Sequence, residues 1–204
     1  LQKPLKDVLV IGCGDGTEAI SFSQDAHFMT GIDPKLDNHD EWTKIPIPDN
    51  VKLQSGFAEE LPFEDDSFDF IHFFHVIEHV QDPNLAIKEA HRVLRNGGCM
   101  FVGCPNFWRI FGYIGGNATK REIIRWNIKD WWMRFTLRWS NKKGAHAGFS
   151  RKGLRRMLAE HFEIISDQTV AYAQRSTSGV LFKILTLFGW WRITLPSVYF
   201  CVQK

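Results

Sequence analysis

The chain has 204 residues, of which 44% are hydrophobic, and a formal net charge of +2 at pH 7. This length and apolar content suffice for a folded core, which excludes a disordered chain and predicts a single domain over residues 1–204. The small net charge alone gives no argument for nucleic-acid binding. The four cysteines have no C-x-x-C spacing, so reduced thiols are expected rather than disulfides or a zinc site.

The sequence suggests a protein that stays in the cytoplasm. We recognise no secretory signal. Residues 180–195 are apolar, but Lys183, Gly189 and Arg192 interrupt them, and the run is too short to span a bilayer. A cytoplasmic location is therefore expected, with peripheral contact to a membrane left open.

The first element in chain order is an apolar strand followed by a glycine-rich turn. Residues 8–12 begin with Val-Leu-Val-Ile, a run typical of a strand buried on both faces of a parallel sheet. The sequence Gly12-Cys13-Gly14-Asp15-Gly16 then lets the backbone turn sharply and approach a ligand closely. A helix over residues 17–22 would direct its N-terminal amides at that ligand.

A second strand, over residues 28–33, ends at Asp33. Its carboxylate would lie beside the glycine turn, where it can accept hydrogen bonds from both hydroxyls of a ribose. The turn lacks the third glycine of the dinucleotide fingerprint, and Asp15 suits an ammonium or sulfonium better than a pyrophosphate. These residues predict a nucleoside cofactor other than a dinucleotide.

Strands and helices alternate through the rest of the chain. Apolar runs predict further strands over residues 51–55, 68–74, 99–104, 162–170 and 198–203. Periodic apolar residues predict a helix over residues 85–94, closed by Asn96-Gly97-Gly98, and another over residues 151–161 with Ser150 as its N-cap. This alternation indicates an α/β fold.

Three further motifs lie between residues 55 and 98. They are Ser55-Gly56-Phe57-Ala58-Glu59-Glu60-Leu61-Pro62-Phe63, then Glu78-His79-Val80, then Glu89-Ala90-His91-Arg92-Val93-Leu94-Arg95-Asn96-Gly97-Gly98. With the glycine turn and Asp33, they resemble the motif set of class I S-adenosylmethionine-dependent methyltransferases. The likeness is closest to the small-molecule branch called type 11, and it covers residues 8–106, about half of the chain.

The resemblance implies a Rossmann-like, seven-stranded, mostly parallel sheet with helices on both faces and an antiparallel last strand. It implies S-adenosyl-L-methionine as the cofactor and S-adenosyl-L-homocysteine as the product. No metal is expected. The residues expected to bind the cofactor are Gly12, Cys13, Gly14, Gly16, Asp33, Pro34, Phe57, Ala58 and His75.

Phe57 departs from the family pattern. Many relatives have an aspartate at this position, whose carboxylate accepts the adenine amino group, and phenylalanine cannot do so. Phe57 could stack on the adenine while the Ala58 backbone meets the adenine edge. Alternatively, Phe57 points into the core and Glu59 or Glu60 takes over, or the cofactor pocket has decayed.

Two histidines are candidates for removing a proton from the acceptor. His75 directly follows the fourth strand, where cofactor and substrate should meet. His146 precedes the Ser150 helix, where relatives often place a histidine on the substrate side. Either histidine could instead be structural, and the Glu78-His79 pair is interpreted first as organising the fold.

Residues 107–147 are expected to form an inserted lid on the substrate side of the domain. They contain five tryptophans and nine lysines or arginines, against only Glu122 and Asp130. Tryptophan faces stack on rings or contact lipids, and the cations hold phosphate or carboxylate groups. The alternative is a packed helical lid with tryptophans in its core and cations on its solvated face.

Three functions remain open from the sequence. The first is methyl transfer to a small, lipid- or sugar-linked acceptor, most simply at oxygen. The second is RNA methylation with the basic block as grip, against which stand the missing Asn/Asp-Pro-Pro-Tyr/Phe motif and the missing RNA-binding appendage. The third is a non-catalytic, methyltransferase-like partner protein. The oligomeric state does not follow from the sequence.

Overall fold

The computed structural model describes residues 5–36, 46–109, 112, 119–136, 138, 148–176 and 195–204. The strands in these ranges are β1 (Leu5–Ile11), β2 (Ala26–Ile32), β3 (Val51–Gln54), β4 (Phe68–Phe74), β5 (Leu94–Pro105), β6 (Glu163–Asp167) and β7 (Ser197–Gln203). The α-helices are α1 (Thr17–Ser21), α2 (Pro83–Val93), α3 (Lys120–Phe135), α4 (Arg151–Leu158) and α5 (Thr169–Ser176). None of the helices described is long and apolar enough to cross a membrane.

The strands form one seven-stranded sheet in the order β3-β2-β1-β4-β5-β7-β6. The first five strands pair in parallel, and β7 runs antiparallel to both β5 and β6. This topology confirms the predicted fold class, including the antiparallel last strand.

The central strand β1 is buried on both faces, as its apolar run predicts. Leu9 and Ile11 belong to the larger core cluster, in which α2 and α4 pack through residues such as Ala90 and Leu158. Val8 and Val10 belong to a second cluster that includes Ala19 of α1. The sheet therefore separates two cores, and helices cover each of them.

Two sequence-based interpretations are wrong, and the helix predicted over residues 151–161 ends earlier, at Leu158. Asn96-Gly97-Gly98 does not close a helix: α2 ends at Val93, and the three residues lie within β5, where Gly97 has φ +78°. The predicted strand over residues 162–170 ends at Asp167. There the Asp167 carboxylate accepts a hydrogen bond from the Thr169 N–H (3.0 Å), and α5 begins.

The motif residues Glu89 and Arg92 of α2 hold the loop that joins β3 to β4. The Arg92 guanidinium donates to the carbonyls of Phe63 and Leu61 at 2.8 and 2.9 Å and pairs with Glu89 and Asp65. Glu89 in turn accepts the N–H of Leu61 at 3.0 Å. This part of the motif therefore stabilises a loop, and these contacts explain its residue types without a ligand.

Helix α3 lies within the predicted lid and is attached to the segment after β5 through its polar face. Asp130 and Arg109 form a buried ion pair at 2.7 Å, and the Asn127 amide bonds both the N–H and the carbonyl of Gly112. The Arg134 guanidinium bonds the Arg109 carbonyl. The helix begins at Thr119, which forms a capping box with Glu122.

An aromatic layer lies on the sheet face that carries α1 and α5. The His72 imidazole lies beside Phe74 and Phe101, with ring centroids 5.4 and 6.1 Å apart and near-parallel planes. Burial, together with the smaller effect of the nearby His75, lowers the pKa of His72 to about 4. Glu18 Oε1 lies 3.9 Å from Nδ1, but the His72 imidazole is uncharged at neutral pH, so the two side chains do not form an ion pair there.

We expect His72 to make stability pH-dependent. Its pKa is about 4 in the folded protein and 6.5 when unfolded, so only the unfolded chain binds the proton between these values. The free energy of unfolding should therefore fall by roughly 3 kcal/mol as the pH drops from 6.5 to 4. Urea unfolding of the wild type and His72→Phe across this range measures the difference. Equal pH dependence in both proteins would contradict the assignment.

Candidate functional site

The predicted cofactor residues follow four adjacent parallel strands, so they meet at one edge of the sheet. The glycine turn follows β1, Asp33 follows β2, Phe57 and Ala58 follow β3, and His75 follows β4. The chain changes direction across the sheet between β1 and β4. Such a switch point at the carboxyl ends of parallel strands is where open α/β sheets bind ligands.

Glycine is suited to two positions of the turn, Gly12 and Gly14, for different structural reasons. A Cβ on Gly12 would lie 2.1 Å from Cγ2 of Val76, so packing after β4 excludes a side chain there. Gly14 has φ +57°, and nothing lies within 4 Å of where its Cβ would be. The backbone at Gly14 therefore faces open space, which leaves room for a ligand to approach it closely.

Asp33 joins the turns that follow β1 and β2. Its Oδ2 accepts the N–H of Gly14 at 3.0 Å, and its Oδ1 accepts the N–H of Lys35 at 2.9 Å. A carboxylate can accept about four hydrogen bonds, so both oxygens keep capacity for ribose hydroxyls. The site fits the nucleoside in this respect, and Asp33 also orders the turn.

The other predicted residues of the turns after β1 and β2 differ in which of their groups a ligand can reach. The Cys13 side chain is buried in the core, and burial raises its thiol pKa to about 12, so only its backbone can serve a ligand. Gly16 precedes α1 with φ +83°. Pro34 is exposed, which leaves its ring available to an adenine.

Phe57 is 61% exposed, whereas the side chain of Ala58 is buried in the larger core cluster. The alternative that Phe57 is a core residue is therefore wrong. Its carbonyl accepts the N–H of Glu60 at 3.2 Å in a local turn. An exposed aromatic ring beside a buried alanine is compatible with stacking on a flat ligand.

His75 lies at the same edge in a left-handed conformation, with φ +54°. Its N–H donates to the Gly103 carbonyl of β5 at 2.8 Å, and its ring contacts the edge of Phe74. Its Nδ1 lies 3.4 Å from Oε1 of Glu78, whose side chain is only 1% exposed. The imidazole itself is partly exposed, so it can reach a substrate.

The buried Glu78 carboxylate is a feature that the sequence did not assign to catalysis. In the described part of the chain, neither oxygen has a hydrogen bond of good geometry, while Nε2 of His79 lies 3.9 Å from Oε1. Tyr199 of β7 lies near His75 and stacks on Phe74 at 5.3 Å. Burial raises the Tyr199 pKa to about 12, so its hydroxyl stays protonated.

Carboxylates surround the edge of the sheet at the glycine turn. Asp15 is exposed, and the hydrogen bond from the Thr17 N–H lowers its pKa. Glu18 lies near His75, which lowers the Glu18 pKa against the larger, raising effect of burial. Negative charge at this position favours a cationic group such as an ammonium or sulfonium.

His146 lies outside the described residues, and so does most of residues 137–147. Its predicted role on the substrate side stays a prediction. Among the residues that the structure describes, no three or more histidines, cysteines or carboxylates are arranged to hold a metal ion.

Comparison with known proteins shows what the chain is similar to. Residues 9–102 match the family model described as "Methyltransferase domain". A protein of Mycolicibacterium smegmatis described as "Probable S-adenosylmethionine-dependent methyltransferase" is 36% identical over 104 residues, which is 50% of this chain and 38% of that protein. The ubiquinone biosynthesis O-methyltransferase of Bartonella tribocorum is 33% identical over 123 residues, 58% of this chain and 49% of that enzyme. The chain thus spans less than half the length of these curated relatives.

The fold comparison extends over nearly the whole chain. The structure of an S-adenosylmethionine-dependent methyltransferase from Mesorhizobium loti has a TM-score of 0.64 at 16% identity, covering 99% of this chain and 92% of that one. Residues 9–102 thus match the methyltransferase-domain family model, and the chain shares its fold with this solved methyltransferase. Both comparisons support the predicted class and S-adenosyl-L-methionine as its cofactor.

Asp33→Ala should weaken binding of S-adenosylhomocysteine by roughly 2–4 kcal/mol, because two charge-assisted hydrogen bonds are lost and the glycine turn is released. Isothermal titration calorimetry measures the change, and Asp25→Ala, an acidic residue outside the turn, is the control. An unchanged dissociation constant in a folded Asp33→Ala protein would remove Asp33 from the site.

Phe57→Ala should weaken binding of S-adenosylhomocysteine by about 1–2 kcal/mol, the size of an aromatic contact with its burial. The exposed ring contributes little to the core, so the melting temperature should hardly change. Phe57→Asp should lose less affinity, since a carboxylate can accept the adenine amino group. Calorimetry with thermal unfolding tests this, and a loss of stability without a loss of affinity would contradict it.

Proposed function

We propose that the protein transfers the methyl group of S-adenosylmethionine to an oxygen atom of a small, lipid- or sugar-linked acceptor. The observation that carries the proposal is the convergence of four segments at the switch point: the open backbone at Gly14, the Asp33 carboxylate, the exposed Phe57 ring and the partly exposed His75.

The residues at the edge suit each part of the cofactor. The backbone of Gly12, Cys13, Gly14 and Gly16 would hold the methionine portion, Asp33 the ribose, and Pro34, Phe57 and the Ala58 backbone the adenine. The bound cofactor supplies a methyl group on a good leaving group, so the protein has to align the acceptor and remove its proton.

His75 is the base that we propose for an acceptor hydroxyl. Glu78 would accept the Nδ1–H of His75, which leaves Nε2 unprotonated and free to take the proton. The Glu78 carboxylate would also stabilise the imidazolium that forms. Glu78 is thus proposed as a positioning residue, and the left-handed backbone at His75 sets the direction of the ring.

The acceptor class is proposed from two independent considerations. One similar enzyme, that of Bartonella tribocorum, is named for O-methylation in ubiquinone biosynthesis, which makes a ring hydroxyl on a lipid-linked acceptor a reasonable substrate class. Helix α3 is attached through Arg109, directly after the carboxyl end of β5, where a substrate-side lid would lie. We propose that residues 107–147 form this substrate-side lid within a single domain over residues 1–204. We also propose that the protein is located in the cytoplasm or at the periphery of a membrane.

Kinetics of methyl transfer to a soluble catechol, and to a quinol in detergent micelles, test the proposal. With His75→Gln, kcat should fall about 10²- to 10⁴-fold, the usual contribution of a general base, and the ascending limb of the pH–rate profile should disappear. Glu78→Gln should retain part of the activity and shift that limb, because the neutral amide no longer stabilises the imidazolium.

His79→Gln is the matched control, because its imidazole also lies beside Glu78. A profile of His75→Gln that keeps the ascending limb would exclude His75 as the base. Failure of the wild type to bind S-adenosylhomocysteine would favour a non-catalytic partner protein. Binding to RNA with a steep dependence on salt would favour RNA methylation.

A further inference from the structure

Helix α3 has an inverted polarity. Its inner face holds Asp130, 5% exposed, in the ion pair with Arg109, 3% exposed. Its outer face exposes four large apolar side chains, which are 60–78% exposed: Ile124, Ile128, Trp132 and Phe135. A surface helix of a globular protein normally buries its apolar stripe and exposes its charges.

The outer face is one continuous surface rather than scattered side chains. Its residues follow one another at spacings of four, four and three positions and so share one side of the helix. They border a groove of about 590 Å³ whose described lining is Ile123, Ile124, Asn127, Ile128, Trp131, Trp132 and Phe135. A contiguous apolar surface of this kind marks a site of interaction.

A row of cations lies beside the apolar stripe. Arg121, Arg125 and Lys129 are exposed and follow one another at four-residue spacing, and Lys120 is exposed at the start of the helix. The acidic residues of α3 do not balance them, because Glu122 is engaged in the capping box and Asp130 is buried against Arg109. The surface therefore combines an apolar stripe with a positive flank.

We infer that this outer face of α3 docks on the interface of an anionic lipid bilayer. Tryptophan, phenylalanine and isoleucine enter the boundary between headgroups and acyl chains, and cations alongside them pair with anionic headgroups. Each lysine or arginine near such a surface strengthens binding about fivefold. The positive flank is what favours an anionic lipid surface over a neutral apolar partner.

The position of α3 means that docking would bring the membrane close to the candidate site. Arg109, which holds α3, follows the carboxyl end of β5, and Gly103 of β5 bonds the backbone of His75. The helix is thus fixed near the edge of the sheet that carries the candidate site. A lipid-linked acceptor could reach that edge from a docked membrane. The docking itself does not depend on the proposed methyl transfer, and it is measured without cofactor or acceptor.

The experiment is co-sedimentation of the full chain with vesicles of phosphatidylcholine alone and of phosphatidylcholine with phosphatidylglycerol. The wild type should bind the anionic vesicles, and binding should weaken as salt rises. Ile128→Ser with Phe135→Ser should bind at least about tenfold more weakly, because two apolar side chains no longer enter the bilayer. Arg125→Gln with Lys129→Gln should bind about 25-fold more weakly and lose about half of the salt dependence, because Lys120 and Arg121 remain.

The matched control is Phe28→Ser with Ile165→Ser, which removes the same exposed residue types from strands β2 and β6. It should bind vesicles like the wild type. Failure of the wild type to bind anionic vesicles, or equal binding by the Ile128 and Phe135 variant, would overturn the inference.

Two further readouts identify what else could cover the face. If the melting temperature of the Ile128 and Phe135 variant is well below that of the control, and neither the wild type nor any variant binds vesicles, another part of the same chain covers α3. If light scattering shows a dimer that this variant dissociates, the face joins two copies. Either result overturns membrane docking. Calorimetry with S-adenosylhomocysteine is run on the same variants, so that a failure of docking is separate from a failure of the proposed function.

Discussion

The burial of β1 on both faces is the constraint on which the rest of the structure depends. The four residues from Val8 to Ile11 alternate between two separate cores, so the sheet is stable only if helices cover both faces. Strand β1 also pairs in parallel with β2 on one side and β4 on the other. Because parallel strands end at the same edge, the turns after β1, β2 and β4 are brought together there. The candidate site is thus a consequence of how the core is built.

The rigid part of the site is held by polar contacts that no ligand needs to supply. Arg92 and Glu89 fix the loop beyond Phe57 and Ala58, and Asp33 bonds the backbone of Gly14. Ordering a loop costs conformational entropy, and here that cost is met during folding. A nucleoside would then meet a site that is already arranged, which favours affinity.

The sequence predicted best what depends on local pattern. The apolar runs located all seven strands, and Ser150 begins α4 as expected, with its hydroxyl accepting the N–H of Gly153. The Asn96-Gly97-Gly98 interpretation failed because β5 continues there against the end of the chain, where Gly97 donates its N–H to the Lys204 carbonyl. No local signal reports such a distant partner. Helix α5 did have a signal, the capping carboxylate of Asp167, but the apolar run beside it indicated a strand.

The site shows the same division. Asp33, Gly14 and His75 lie at one edge because strand order brings them there, and the motifs indicated that order. The contact of Glu78 with His75 depends on the backbone conformation after β4. The contact of Tyr199 with His75 depends on β7, which lies far away in the sequence. The sequence predicted a lid over residues 107–147 but not which face of α3 turns inward, because that depends on the ion pair between Asp130 and the distant Arg109.

The different packing of the two glycines has an evolutionary consequence. Val76 leaves no room for a side chain at Gly12. Selection for a stable fold alone would therefore keep this glycine, even in a descendant that no longer bound any cofactor. Gly14 faces open space, and residues such as asparagine tolerate its left-handed backbone. In a lineage that had lost the ligand, Gly14 would be free to drift while Gly12 stayed. Among related sequences, variation at Gly14 would therefore report the loss of an ancestral activity, whereas retention of Gly12 would report only the persistence of the fold.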